Sequence, residues 1–416
     1  MRTPLIIDKI DASELARFYR SELTENVLPF WLEHGLDHEH GGWLTCVDRE
    51  GKLYSSDKSV WFQGRGTWTF AAAFRQIEAN PKYLQAATTG YRFLKDKCFD
   101  KDGRMFFQLT REGLPLQKRR YWFSETFAVV AAAEFYRITG DLDALALARN
   151  TWELLLKLYT HPELSPSKYH PTTRPMKGLA GPMILTITAQ VLRGADPENS
   201  GKYTENIAGF LQEIRRDFLK PKLKALLENV SPDGSLLPGP KGRLLNPGHA
   251  IEASWFLMAE AKHTGDAELF TEALKILEWS FEKGWDPEFG GLLSFVDLEG
   301  RPPEQLEWDM KLWWPHNEAL IAFAMAWQAT GEQKYHDGFV KVHNYSWSHF
   351  ADSVHGDWYG YLHRDGSVAN TLKGSLFKGP FHLPRCLMVL TTLFEELAQK
   401  SGGTQSNLSP NLKVEG

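Results

Sequence analysis

Two short segments far apart in the chain, Asn246-Pro-Gly-His249-Ala-Ile-Glu252 and Gly379-Pro-Phe-His382-Leu-Pro-Arg385, each place a histidine at the start of an apolar, helix-like run. Histidine has an ordinary pKa of about 6.5, so it both takes and gives a proton near neutrality. Two histidines facing one carbon could pass a proton across it. Glu252 follows His249 by three residues and Arg385 follows His382 by three, so each pair shares a helix face. Glu252 could hold the His249 tautomer or stabilise the first helical turn, and His249 itself could be a capping or core histidine. Arg65 lies on one face with Trp61 and Trp68, where a cation beside two indoles could be there for stacking alone. The segment Lys311-Leu-Trp-Trp-Pro-His316-Asn-Glu318 is dense in side chains able to stack on a sugar ring and bond its hydroxyls, although Trp pairs also serve cores.

The elements that must position these residues repeat. Gly42-Trp-Leu-Thr-Cys-Val-Asp-Arg-Glu-Gly51, Arg104-Met-Phe-Phe-Gln-Leu-Thr-Arg-Glu-Gly113, Gly291-Leu-Leu-Ser-Phe-Val-Asp-Leu-Glu-Gly300 and Asp357-Trp-Tyr-Gly-Tyr-Leu-His-Arg-Asp-Gly366 each read as a short strand entering a tight turn. Glu228-Asn-Val-Ser-Pro-Asp-Gly234 is a looser copy. The turn glycines at 51, 113, 234, 300 and 366 fit a period of 63 residues. A sixth copy is due near 175, where the chain instead reads Tyr169-His-Pro-Thr-Thr-Arg-Pro175. Between the turns, helical periodicity occupies 13–34, 59–79, 82–97, 123–139, 142–160, 178–193, 202–219, 249–265, 267–283, 315–330, 332–349 and 381–399. Thr139-Gly-Asp141, Thr264-Gly-Asp266 and Thr330-Gly-Glu332 join helices by a left-handed glycine stop and an acidic start.

Twelve helices in six pairs predict an all-α fold, an (α/α)6 toroid with short β-hairpin loops at one end; an open superhelical solenoid is the alternative. In the toroid the even-numbered helices start at one mouth. Their first turns carry Arg65, Glu125, Lys177, His249 with Glu252, His316 with Glu318, and His382 with Arg385. Six helix N-termini there would favour an anion or an oxyanion-like intermediate.

Composition excludes several classes. The 416 residues, 43% apolar and 24% charged, carry no linker, which predicts one domain over 1–400 and a flexible tail over 401–416. A net charge of -5 without a basic cluster argues against nucleic acid. No stretch approaches a membrane span, and the acidic residue at position 8 comes too early for a secretory signal. Cys46, Cys98 and Cys386 lack metal-like spacing and suit a reducing cytoplasm. His38-Glu-His40 lacks a third metal ligand, and Gly239-Pro-Lys-Gly242 is a plain turn, not a phosphate loop.

Asn246-Pro-Gly-His-Ala-Ile-Glu-Ala-Ser-Trp-Phe256, Leu306-Glu-Trp-Asp-Met-Lys-Leu-Trp-Trp-Pro-His-Asn-Glu318, Asp357-Trp-Tyr-Gly-Tyr-Leu362 and Phe381-His-Leu-Pro-Arg385 resemble the N-acylglucosamine 2-epimerase (renin-binding protein) family. Arg174-Pro-Met-Lys-Gly-Leu-Ala-Gly-Pro-Met183 resembles its bacterial branch, and the resemblance covers about residues 12 to 400. It implies an (α/α)6 barrel that interconverts N-acetylglucosamine and N-acetylmannosamine without a required cofactor. By motif, His249 and His382 would be the acid/base pair acting at C2 of the opened sugar. Arg65 would bind O1 and stabilise the enolate, and Arg385 and Lys177 would add positive charge. Glu252 would orient His249, Glu318 would bond sugar hydroxyls, and Trp314 would be a stacking platform. Phe377 stands where many relatives place Trp. The resemblance further implies a homodimer, with ATP an allosteric activator at most. A related sugar 2-epimerase or aldose–ketose isomerase, an inverting glycoside hydrolase using Glu252 and Glu318, and a non-catalytic binding protein are the competing functions.

Overall fold

A glycine followed by an acidic residue marks where three of the helical pairs turn back. In a computed structural model, which describes residues 5–118, 121–165, 170 and 172–403, twelve long helical runs follow one another. Helix α1 runs over Ala12–Ser21, a π-helical stretch Glu22–Val27, and Leu28–His34. The next five are α2 (Val60–Gln76), α3 (Pro81–Lys97), α4 (Phe123–Thr139), α5 (Leu142–Thr160) and α6 (Ala180–Ala195). They are followed by α7 (Ser200–Glu213), α8 (Pro247–Thr264), α9 (Ala267–Gly284), α10 (Trp313–Thr330), α11 (Gln333–His349) and α12 (His382–Gly403). Gly140, Gly265 and Gly331 end α4, α8 and α10 at φ of 73°, 75° and 69°, which costs a residue without Cβ little. Asp141 and Asp266 then cap α5 and α9 through their side chains. Glu332 makes no such bond at the third joint.

The even-numbered helices form a closed ring. α2 packs on α4, α4 on α6, α6 on α8, α8 on α10, α10 on α12, and α12 back on α2. That last contact rules out an open solenoid. Each inner helix is backed by an outer one: α3, α5, α7, α9 and α11 cover the inner helix before them, and α1 covers α12, so the two ends of the chain make the sixth pair. Burial follows position. Outer α9 buries a stripe of Leu269, Ala273, Ile276, Leu277 and Ser280, whereas inner α10 is buried continuously from Pro315 to Ala324.

Gly51, Gly113, Gly234, Gly300 and Gly366 all lie at positive φ, between 75° and 96°. Each N–H donates to the carbonyl three residues back, those of Asp48, Thr110, Ser231, Asp297 and His363. The strands are short. β1 (Lys58–Ser59), β2 (Gln108–Leu109) and β3 (Pro115–Gln117) form one antiparallel sheet, and Lys311–Leu312, Tyr361–Leu362 and Val368–Asn370 form its counterpart. In register, Lys58 pairs with Leu109 as Lys311 pairs with Leu362. The first copy, expected as a strand, makes only the isolated bridges Leu36–Trp43 and Val47–Leu53. Around the sixth, Tyr169 and Pro171 lie outside the described residues, and Lys177–Gly178 pairs instead with Asn229–Val230. Of the expected tail, Ser401–Gly403 still belongs to α12, and 404–416 lie outside the described residues.

One ion cluster recurs with the repeat. Asp37, Asp286 and Asp352 each follow an outer helix and bind a fully buried lysine, Lys58, Lys311 and Lys373, at 2.9, 2.8 and 3.0 Å. Each also binds an arginine from the next unit's turn, two residues before its glycine: Arg111, Arg364 and, around the ring, Arg49. The Arg49–Asp352 pair at 2.7 Å therefore ties the first unit to the last. Burial alone would raise these carboxyl pKa values, but the cations hold all three well below the usual range.

Candidate active site at the mouth of the ring

A cavity of about 500 Å³ opens among the first turns of the inner helices. α2 contributes Arg65, α8 contributes His249 and Glu252, α10 contributes Trp314, and α12 contributes His382 and Arg385. Phe377, on the loop before α12, lines it too and is 45% exposed. Both imidazoles lean on one indole: the Trp314 ring centroid is 5.3 Å from that of His249 and 5.8 Å from that of His382.

His249 is set by the start of α8. Pro247 occupies the first turn, and the Asn246 side chain accepts the His249 N–H at 3.1 Å. The imidazole Nδ1 lies 3.0 and 3.1 Å from the two carboxylate oxygens of Glu228. Glu228 therefore orients this ring, in place of the expected Glu252. A carboxylate acceptor fixes the proton on Nδ1 and leaves Nε2 as the reactive nitrogen. Burial would lower the His249 pKa, but the Glu228 charge and hydrogen bond more than offset it, and the net direction is upward from 6.5.

His382 has its own carboxylate. Its Nδ1 lies 2.8 Å from Glu318 Oε1 and 3.3 Å from an Arg385 nitrogen, and the shorter contact means Nδ1 donates to Glu318. Glu318 was expected on sugar hydroxyls, but it is fully buried and occupied within the protein. Oε1 also accepts from Arg385 at 2.6 Å, and Oε2 accepts from the Trp255 indole at 2.8 Å. Glu252 is drawn to the same arginine nitrogen, also at 2.6 Å. Burial, then the Arg385 and Arg65 cations, push the His382 pKa well below 6.5. The two imidazoles are thus displaced in opposite directions.

Ligand-type atoms of Glu252, Glu318 and His382 lie within 4.8 Å of one another, a spacing that could hold a metal ion. The Arg385 nitrogen, in contact with all three, already puts a cation among them. Against burial, these carboxylates raise the Arg385 pKa above its ordinary value. Arg65 differs. Among the described residues it has no carboxylate or hydrogen-bond partner, its Nε is buried and unsatisfied, and its guanidinium lies 4.1 Å from the Phe127 ring centroid and 4.8 Å from that of Phe381. Burial pushes it down to about 9, which leaves it charged at neutral pH. A half-buried cation with no carboxylate in ion-pair contact, at the wall of a cavity, is a site for developing negative charge.

Residues 41–382 match the family model for N-acylglucosamine 2-epimerase (GlcNAc 2-epimerase). The chain is 40% identical to the N-acylglucosamine 2-epimerase of Bos taurus over 385 residues, 90% of each chain. It belongs to the N-acylglucosamine 2-epimerase family. The human protein of that name is 38% identical over 392 residues, covering 90% of this chain and 89% of its own. The solved cellobiose 2-epimerase of Bacillus thermoamylovorans B4167 superimposes with a TM-score of 0.81 at 22% identity, over 91% of this chain and 99% of its own, which places the family member's ring in the (α/α)6 fold. As a member of the N-acylglucosamine 2-epimerase family the protein is a carbohydrate-acting isomerase.

Three polar residues picked from the sequence do not join the site of this epimerase-family chain. Lys177, expected to add charge, is not among the cavity's lining residues and is held by Glu213 at 3.0 Å and by Asp217, with its strand paired to Asn229–Val230. Glu125 accepts from Arg104 at 2.6 Å and is structural. His316 donates to the Leu312 carbonyl and accepts the Leu292 N–H, and burial pushes its pKa down to about 3. Glu228 went unassigned as a site residue. Its one signal was that it opens the loose fifth copy of the strand-turn repeat. No helix among the described residues is long and apolar enough to cross a membrane.

Proposed function

We propose that the protein interconverts N-acetylglucosamine and N-acetylmannosamine, with one of His249 and His382 removing the C2 proton of the ring-opened sugar and the other supplying a different proton to the opposite face. The observation that carries this reading is the matched pair of imidazoles. Both lie in one cavity against one indole, and each is held at Nδ1 by its own carboxylate. Groups whose pKa values are pushed apart divide into acid and base. Neutral His382 removes the proton, His249 in its protonated form delivers one to the other face, and the roles exchange in the reverse direction. One base on one face would return the proton with retention. Arg65 faces the O1 that becomes anionic as the enolate forms; one preorganised donor of this kind is commonly worth about 3 kcal/mol. Trp314 and Phe377 are the candidate surfaces for the sugar.

Hydrolysis fits less well. Inverting glycosidases hold their carboxyl groups about 6.5–9.5 Å apart to admit a water, whereas Glu252 and Glu318 approach within 4.8 Å and share one guanidinium. We carry into the same proposal a cytoplasmic homodimer that consumes no cofactor, with ATP an activator at most; three free, buried cysteines support the reducing compartment. Incubation with N-acetylmannosamine, mannose and cellobiose, with products separated by chromatography, tests the reading. N-acetylglucosamine should form far faster than glucose, fructose or an epimerised disaccharide. Preference for mannose or cellobiose would reassign the substrate.

A further inference from the structure

Three units bring a buried lysine to the start of an inner helix, and the last does so differently. Lys58 and Lys311 sit in paired strands, and a single residue, Ser59 or Leu312, separates each from α2 or α10. After Lys373 the chain runs eight residues, 374–381, without a strand before α12 begins at His382. This longer connection carries Phe377 at the cavity wall. Its anchor is Lys378, next to Phe377 and four residues before His382. Lys378 turns inward, 2% exposed, and its ammonium donates to the Lys373 carbonyl at 2.6 Å and to Asp357 Oδ2 at 3.3 Å. Its stem lies against Gly360, where a Cβ would approach Lys378 Cδ to 2.6 Å, and its ammonium is 5.7 Å from the Trp313 ring centroid. Burial works against the Lys378 charge, and Asp357 supplies the charge and hydrogen bond that oppose it.

The acceptor stands where two other units use glycine. Gly42, Gly291 and Asp357 each lie five positions after a cluster aspartate, Asp37, Asp286 or Asp352, and the carbonyl of each accepts that aspartate's N–H. Their φ values are 74°, 76° and 51°. Left-handed backbone favours glycine, so the turn itself gains nothing from a carboxylate. The Asp357 carboxylate accepts from the Trp31 indole at 2.9 Å and the Trp358 N–H at 2.6 Å as well as from Lys378. Of these three units, the pair stands in the one whose connection leads to a reacting histidine. We propose that Asp357 and Lys378 are positioning residues, which fix segment 374–381 and through it hold Phe377 and His382 against the sugar. The inference rests on the epimerase reading above and adds two residues to it.

The test measures epimerisation of N-acetylmannosamine and of N-acetylglucosamine by the wild type and by Asp357→Asn/Lys378→Met. The double variant removes both charges together, keeps an acceptor for Trp31 and keeps a hydrocarbon stem against Trp313. Replacing a buried pair whole is often neutral for stability, so the melting temperature should stay near that of the wild type. By contrast, kcat/KM should fall about tenfold or more. The reading that stability alone does not move is isotopic. In deuterium oxide the epimer deprotonated by His249 must wait for a misplaced His382, while His249, 27% exposed, trades its proton with solvent and returns a deuteron to the same face. For that epimer the ratio of C2 exchange in recovered substrate to epimerisation should rise about fivefold or more, and for the other epimer it should not. A ratio within about twofold of wild type for both epimers, or an unchanged kcat/KM, overturns the proposal. Should the double variant not fold, Lys378→Met alone is read the same way, since Asp357 there keeps its bonds from Trp31 and Trp358. If neither variant folds, the pair serves folding and the proposal falls. Wild-type protein that turns over neither amino sugar sinks the epimerase reading instead.

Discussion

Glu228 separates the two histidines chemically. Without its carboxylate, burial would be opposed only by the weaker charge of Glu252, and the His249 pKa would fall. The pH profile carries the sign. His382, lowered, is neutral above its pKa, and His249, raised, is protonated below its own. The active form therefore fills a broad window across neutrality, bounded on the acid side by His382 and on the alkaline side by His249. In Glu228→Gln the alkaline limb of kcat/KM should move to lower pH while the acid limb stays, as measured in either direction, because both directions draw on the same singly protonated pair. An alkaline limb that does not move would show that Glu228 does not govern His249. The sequence displayed both histidines but not their partners. Glu252 sits at helical spacing from His249, yet Arg385 captures it at 2.6 Å, and no local spacing reveals a carboxylate that arrives from a loop 21 residues upstream.

At the scale of elements, the first turn of α8 must admit the Trp314 ring. Gly248 is the residue that allows it: a Cβ there would lie 2.5 Å from the indole. Alanine is the better helix former, so Gly248→Ala should leave the helix intact while pushing aside the surface on which both imidazoles rest. Misplacement of about 1 Å costs on the order of 100-fold, and we expect kcat/KM to fall ten- to a hundredfold with near-native circular dichroism. Activity within twofold of wild type would mean that the indole position is not critical. Helices were largely legible because glycine stops and apolar periodicity are local signals, as at Gly140, Gly265 and Gly331. Lys177 was misread for the converse reason. Its place in the helix register suggested the mouth, but pairing of its two-residue strand with Asn229–Val230 turned it toward Glu213 and Asp217.

At the scale of the molecule, a ring has to close, and Asp352 is where it does so. The period of 63 implied a toroid, but the Asp–Lys–Arg clusters that join its units were invisible, since each gathers residues from two units. Asp352→Asn would break the ion pairs of fully buried Lys373 and of Arg49, leaving Lys373 the charge of Asp357 alone, and breaking a buried pair costs about 3–5 kcal/mol. Urea unfolding should register that loss, and a change under about 1 kcal/mol would contradict the account of closure. Because the folded carboxyl pKa values are depressed, their contribution is complete above the unfolded value near 3.9 and is lost only as pH falls below the ordinary carboxylate range.

Proton transfer across C2 is tested most directly by epimerising N-acetylmannosamine in deuterium oxide and following the first few per cent of conversion by NMR. With His382 and His249 on opposite faces, N-acetylglucosamine should emerge with deuterium at C2 while the remaining N-acetylmannosamine keeps its protium. N-acetylglucosamine that retains the original C2 proton would contradict the two-histidine account.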